Sequence, residues 1–216
     1  MCSSDLGACL TPSDLEYLAG LCGAHDLWLV VDEVYSELSY DQCHTTALTL
    51  ADIADRVAVA TSLSKSHAMS GWRLGWLAGP ASLIEHATNL VIAMNYGTPT
   101  FIQRAAMVAL EQDESVRLMA DCYRRRRDAF CEALAGVPGL RCHRPAGGMF
   151  VMVDIRACGI SGVRFAGDLL ENFGVSTLAG EAFGAQSAGH IRVSLGVEEA
   201  TLVEAAQRIT ACFNQL

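Results

Sequence analysis

The sequence predicts an α/β protein in which part of a mostly parallel sheet, with helices on its faces, is followed by a smaller α+β segment. Two short runs predict the sheet: LWLVV (residues 27–31) and VAVAT (57–61) are apolar throughout, as parallel strands covered on both faces are. Helical patterns and turn residues alternate with these runs, which is the grammar of α/β layers. From Gly139 onward the order of elements changes to α+β.

Thr11-Pro12-Ser13-Asp14 opens the first helix, with Thr11 or Ser13 as cap and Pro12 in the first turn. Leu15, Leu18, Ala19, Leu21 and Cys22 give it an apolar face that ends near Gly23. After strand 27–31 come a loop through residues 41–44, a short helix over 46–50 and strand 57–61. A strand at 74–79 follows too soon for a crossover of about a dozen residues, so it should run antiparallel to its predecessor. Helices are predicted over 80–94, 100–112 and 113–134, with Asn95-Tyr96-Gly97-Thr98-Pro99 breaking the first from the second. Strands 140–143 and 149–154 flank the turn Pro145-Ala146-Gly147-Gly148. Helix 162–173, strands 175–178 and 190–195, and helix 198–213 complete the chain.

The chain has 216 residues, 51% hydrophobic and 18% charged, a balance that favours a well-buried globule over disorder. No apolar run approaches the ~20 residues of a membrane-spanning helix, and the first residues lack the pattern of a signal peptide. A net charge of −9 argues against nucleic acid and anionic membranes as partners. The one basic cluster, YRRRRD (123–128), lies in a helical pattern and reads as a solvated or interdomain face. The nine cysteines show no CxxC pair, and the six histidines no HExxH pattern. They predict reduced thiols in a reducing compartment and no metal site.

One stretch carries chemistry. In SLSKSHAMSGWRLG (62–75), Lys65 sits in a small-residue turn straight after an apolar strand, flanked by Ser62 and Ser64, with Arg73 eight residues on. A lysine presented there with hydroxyls and a guanidinium suits an aldehyde cofactor that carries a phosphate: the amine bonds the aldehyde, the others hold the phosphate. The plain alternative is an ordinary surface lysine. A second stretch, LWLVVDEVY (27–35), ends in Asp32 and Glu33 with Tyr35 just beyond. A carboxylate at the carboxyl end of a buried strand lies where open α/β sheets bind ligands, although Asp32 could also be a helix cap. A pyridine cofactor needs such a carboxylate beside its ring nitrogen. His67 reads as a packing residue.

Both stretches resemble the class I/II aminotransferases, pyridoxal-phosphate enzymes of fold type I, and the similarity covers nearly the whole chain from Gly7. HDLWLVVDEVYSEL, SLSKSHAMSGWR, RPAGGMFVMVDIR and LAGEAFG look closest to the arginine–pyruvate aminotransferases within that family. The resemblance implies the C-terminal part of a large cofactor-binding domain over 1–118, then a small domain over 119–216, joined by a long helix. It implies pyridoxal 5′-phosphate as cofactor, Lys65 as catalytic residue, and Asp32, Tyr35, Ser62, Ser64, Lys65 and Arg73 as cofactor-binding residues. Arg192, in GHIRVSLG, would clamp the substrate α-carboxylate. Glu181 would face a substrate guanidinium, with an N-cap as the other reading and Glu37 as another, structural, candidate.

The implied activity is transfer of an amino group from an amino acid such as arginine to a 2-oxo acid such as pyruvate, by a cytoplasmic homodimer. A carbon–sulfur β-lyase of the same fold, or an inactive fragment, is the alternative. The family's Asn-Pro-Thr/Ser-Gly loop aligns with Ser4, Asp5, Leu6 and Gly7, and only the glycine matches. Residues 1–6 therefore read as foreign and the chain as N-terminally truncated, the large domain beginning roughly 150–200 residues before Gly7 by ordinary domain length.

Overall fold

A computed structural model describes residues 6–216, so most of the stretch read as foreign, residues 1–5, lies outside the described residues. The chain divides into two compact units, Cys9–Ala120 and, with the described residues before Cys9, Asp121–Leu216.

The first unit begins with α1 (Pro12–His25). Thr11 caps it in a capping box: its hydroxyl accepts from the Asp14 N–H while the Asp14 carboxylate accepts from the Thr11 N–H. A cap of this kind is worth about 1 kcal/mol. β1 (Leu29–Asp32) runs parallel to β2 (Val57–Ser62), with Asp32 opposite Ala60. α2 (Leu63–Ser66) is a single turn, and β3 (Gly75–Ala78) pairs antiparallel with β2, as the short connection requires. The sheet order is β1-β2-β3. α3 (Ala81–Asn95) and α4 (Thr100–Leu110) follow, separated by Tyr96 in a left-handed conformation. Residues predicted as a short helix near 46–50 instead form two 3-10 segments, Ala47–Thr49 and Ala51–Arg56.

Strand alternation decides what is covered. Leu29, Val31, Val57 and Val59 pack with Leu15 and Cys22 of α1 and with Ala47 and Ile53 into the core of this unit. Val30 projects to the other face and is 68% exposed. The expectation of burial on both faces therefore holds for β2 alone: β1 is the edge of the sheet and is packed on one side.

The division between the units falls inside α5 (Asp113–Ala133). In the second unit β4 (Arg141–His143), β5 (Phe150–Asp154), β6 (Leu178–Ala179) and β7 (His190–Ser194) form an antiparallel sheet of order β4-β5-β7-β6. α6 (Gly162–Phe173) and α7 (Glu199–Gln215) complete it. The apolar interior contains Phe130, Val151, Val153, Phe165, Ile191 and Ile209. β6 starts later than residue 175 because Gly174 and Val175 end α6, donating their N–H groups to the carbonyls of Leu170 and Leu169. Gly7 belongs to this unit: its carbonyl accepts from Ala146 N–H, and a Cβ there would lie 2.2 Å from the Pro145 Cβ.

The basic run is not one solvated face. Tyr123, Arg127, Phe130, Cys131 and Leu134 recur at helical spacing and are buried. Arg127 donates to the Pro145 carbonyl at 2.8 Å and pairs with Asp128, while Arg124 and Arg125 remain exposed. All described cysteines are unbridged, and among the described residues no helix is long and apolar enough to cross a membrane.

Candidate active site

The candidate residues of the first unit gather at the carboxyl end of its two parallel strands. Asp32 is the last residue of β1 and Ser62 the last of β2, and parallel register puts Asp32, Ala60 and Ser62 on one face. The Asp32 carboxylate is exposed. Its Oδ1 accepts from the Val34 N–H at 3.0 Å, an Asx turn that holds the side chain just past the strand. Tyr35 follows in the same turn, and the Lys65 Nζ lies 5.9 Å from the centre of its ring. The two loops that leave neighbouring parallel strands thus bring the lysine and the tyrosine together.

α2 is short because its ends are fixed locally. Ser62 is extended and its hydroxyl accepts from the Ser64 N–H, leaving the hydroxyl proton to donate elsewhere. The N–H groups of His67 and Met69 both close on the Leu63 carbonyl. Lys65 is half-buried on this turn and makes no hydrogen bond or ion pair with the described residues. It is also the only lysine in the sequence; every other side chain of the Lys+Arg class is arginine. That count was available from the sequence and singles out Lys65 without any motif.

Arg73 lies in the left-handed region at φ 54° and donates to the Ser70 carbonyl at 2.8 Å. No carboxylate pairs with it among the described residues. Gly75 comes next but one. A Cβ there would sit 2.6 Å from the Thr61 carbonyl oxygen and 3.0 Å from Ser62, so glycine permits the close approach of β3 to the residues before Lys65. Sequence reasoning noted Gly75 only as the end of the motif.

A cleft of about 350 Å³ adjoins the turn, lined in part by Glu33, Thr61, Ser62, Ser66, His67 and Trp76. It does not take in Asp32, Lys65 or Arg73. Thr61 and Trp76 are opposite one another in register and face away from the side that bears Asp32. Glu33, next to Asp32, is committed to structure, since its carboxylate accepts from the Ala47 N–H at 2.8 Å and lies 3.1 Å from His44 Nε2. Burial pushes the Glu33 carboxyl up, and hydrogen bonds from His44, Ala47 and Thr46 outweigh burial and leave it below its ordinary value. His67 shares a hydrogen bond of 2.8 Å with the Ser66 hydroxyl, as a packing residue would.

Arg192 and Glu181 belong to the second unit. The Arg192 guanidinium carbon lies 3.9 Å from the centre of the Phe150 ring and 4.0 Å from that of Phe183, stacked between two aromatic faces. Glu181 is half-buried, and its Oε1 accepts from the N–H groups of Gly162, at the start of α6, and of Gly189. Through Oε1 the carboxylate meets the first N–H of α6, whose N-cap is Ser161, while Oε2 is buried and has no hydrogen-bond partner among the described residues.

The donor set fits a phosphorylated pyridine aldehyde: one amine, one carboxylate, a phenol, two hydroxyls and a guanidinium. No ion pair joins Lys65, Asp32 and Arg73 to one another among the described residues. The chain belongs to the class I and II aminotransferases, whose family model matches residues 1–209. That family depends on pyridoxal phosphate.

Among relatives, an arginine–pyruvate transaminase of Pseudomonas aeruginosa is 54% identical over 211 residues, 97% of this chain and 54% of that protein. An aspartate/prephenate aminotransferase of Thermus thermophilus is 34% identical over 206 residues, 94% of this chain and 52% of that protein. The solved aromatic aminotransferase of Pyrococcus horikoshii superposes with a TM-score of 0.92 at 33% identity, covering 97% of this chain and 57% of that one. The chain spans about half the length of the curated relatives it matches.

Proposed function

We propose that the protein to which this chain belongs transfers an amino group from an amino acid, with arginine as donor, to a 2-oxo acid such as pyruvate, using pyridoxal 5′-phosphate. The observation that carries this reading is the unpaired amine of Lys65, the sole lysine, beside Tyr35 and one strand from the Asp32 carboxylate. Similarity to a relative named as an arginine–pyruvate transaminase supports the choice of substrates.

Pyridoxal phosphate, when bound, supplies an aldehyde and an electron-withdrawing ring that stabilises negative charge at the substrate Cα. Asp32 would accept the ring N–H and keep that nitrogen protonated. Tyr35 would donate its O–H to the ring's phenolic oxygen. Ser62, Ser64 and Arg73 would donate to the phosphate, the arginine as a planar fork. Lys65 would hold the cofactor through its amine and would take the proton from the substrate Cα. Arg192 receives the substrate carboxylate, its guanidinium held flat between Phe150 and Phe183. The same reading makes the whole enzyme a cytoplasmic homodimer, which the unbridged cysteines suit.

Incubating the full-length enzyme with arginine and pyruvate tests the reading, and alanine formation is the expected result. Release of pyruvate and ammonia from cystathionine, without transamination, would instead identify a β-lyase.

A further inference from the structure

We propose that His143, Asp154 and His190 form a binding site for a divalent transition-metal ion on the sheet of the second unit. The three are far apart in sequence and meet through strand register. Asp154 ends β5, which lies between β4 and β7. His190 is its direct partner on β7, and His143 on β4 stands opposite Met152, one diagonal step away. Cross-strand partners and residues two apart project from the same face, so three adjacent strands each deliver one ligand to one patch. One donor atom from each residue lies within 4.8 Å of the others, and the two imidazole centres are 5.6 Å apart.

The surroundings orient these donors. Asp154 is only 4% exposed. Its Oδ1 accepts from the Arg156 backbone N–H at 3.0 Å and from Nε at 2.9 Å, and its Oδ2 from the terminal guanidinium nitrogen at 2.6 Å. Oδ2 therefore keeps a lone pair, in a carboxylate held ionised and fixed in direction. His190 Nδ1 lies 3.0 Å from the Ala188 carbonyl; an N–H donated there leaves Nε2 with its lone pair. Ligands anchored by carbonyls and hydrogen-bonded partners are the usual outer arrangement of metal sites.

The Arg156 guanidinium is the opposing influence, a cation beside a cation. Its side chain is 65% exposed, so water and salt screen that repulsion. Arg141, directly across from Asp154, makes no hydrogen bond or ion pair with it. His143 is exposed, which gives an ion a path in and leaves coordination positions for water. Two imidazoles and one carboxylate suit Zn²⁺, Co²⁺ or Ni²⁺, whereas Ca²⁺ and Mg²⁺ require oxygen ligands.

Zn²⁺ titrated into the intact protein by calorimetry should bind at one equivalent and raise the thermal midpoint. His143→Ala and His190→Ala should each weaken binding by about tenfold or more, while His86→Ala on α3 leaves it unchanged. His143 is exposed, so its variant should keep the wild-type circular dichroism. Co²⁺ in place of Zn²⁺ should give visible bands without near-ultraviolet thiolate charge transfer. No binding by the wild type, binding that survives both histidine substitutions, or a thiolate band marking a cysteine site would overturn the proposal.

Discussion

The proposed role of Lys65 as nucleophile rests on an amine with no hydrogen bond or ion pair to the described residues, facing the Tyr35 ring instead. Lys65→Ala in the full-length enzyme should abolish the cofactor's lysine-bound absorbance and cut turnover by about two to four orders of magnitude, read from steady-state rates. Arg73→Lys keeps the charge and loses the fork, so cofactor dissociation measured by equilibrium dialysis should rise about tenfold, equivalent to the loss of one charge-assisted hydrogen bond. The places of Asp32 and Lys65 at the ends of β1 and β2 were legible in the sequence because an apolar run stops at each. The surroundings of Glu181 were not, since its partners are backbone groups of Gly162 and Gly189, one 19 residues before it and one eight after.

At the scale of elements, the turn that presents Lys65 depends on the approach of β3 to β2. Gly75→Ala should force those strands apart and displace Ser62, lowering cofactor occupancy in the full-length enzyme while Lys65 itself is unchanged; spectrophotometric titration with pyridoxal phosphate measures this. Glu33 ties the end of β1 to the 3-10 segment Ala47–Thr49. Glu33→Ala should cost about 1–3 kcal/mol in denaturant unfolding, because the Ala47 N–H is left buried without a partner. The Glu33 carboxyl lies below its ordinary value of 4.5 in the folded state. Its contribution is therefore present above pH 4.5 and is lost as pH falls through the lower folded value; Glu33→Gln should flatten that acid limb. Most element types followed from hydrophobic period and turn residues. Coverage did not: LWLVV reads the same whether one face or two are packed, and YRRRRD hides a buried Arg127 whose acceptor, the Pro145 carbonyl, is 18 residues away.

For the whole molecule, the first unit leaves Trp28, Val30, Trp76, Leu77, Ile92 and Met94 exposed, and β1 is an unpaired edge among the described residues. Apolar faces and open edges of this kind promote association. The 216-residue chain expressed alone should self-associate in analytical ultracentrifugation and bind a hydrophobic dye. A monodisperse monomer that binds no dye would contradict this. Fold class was readable at this scale because apolar runs and turns are local signals; the His143–Asp154–His190 cluster was not, since register across three strands assembles it. The central claim, that Lys65 holds the cofactor, has a direct measurement. The full-length enzyme is loaded with pyridoxal phosphate, reduced with borohydride, digested and read by mass spectrometry. The account predicts the reduced cofactor on the peptide SLSKSHAMSGWR at Lys65 and its loss in Lys65→Ala. An unmodified Lys65, or a label carried wholly by another residue of the loaded active enzyme, would contradict it.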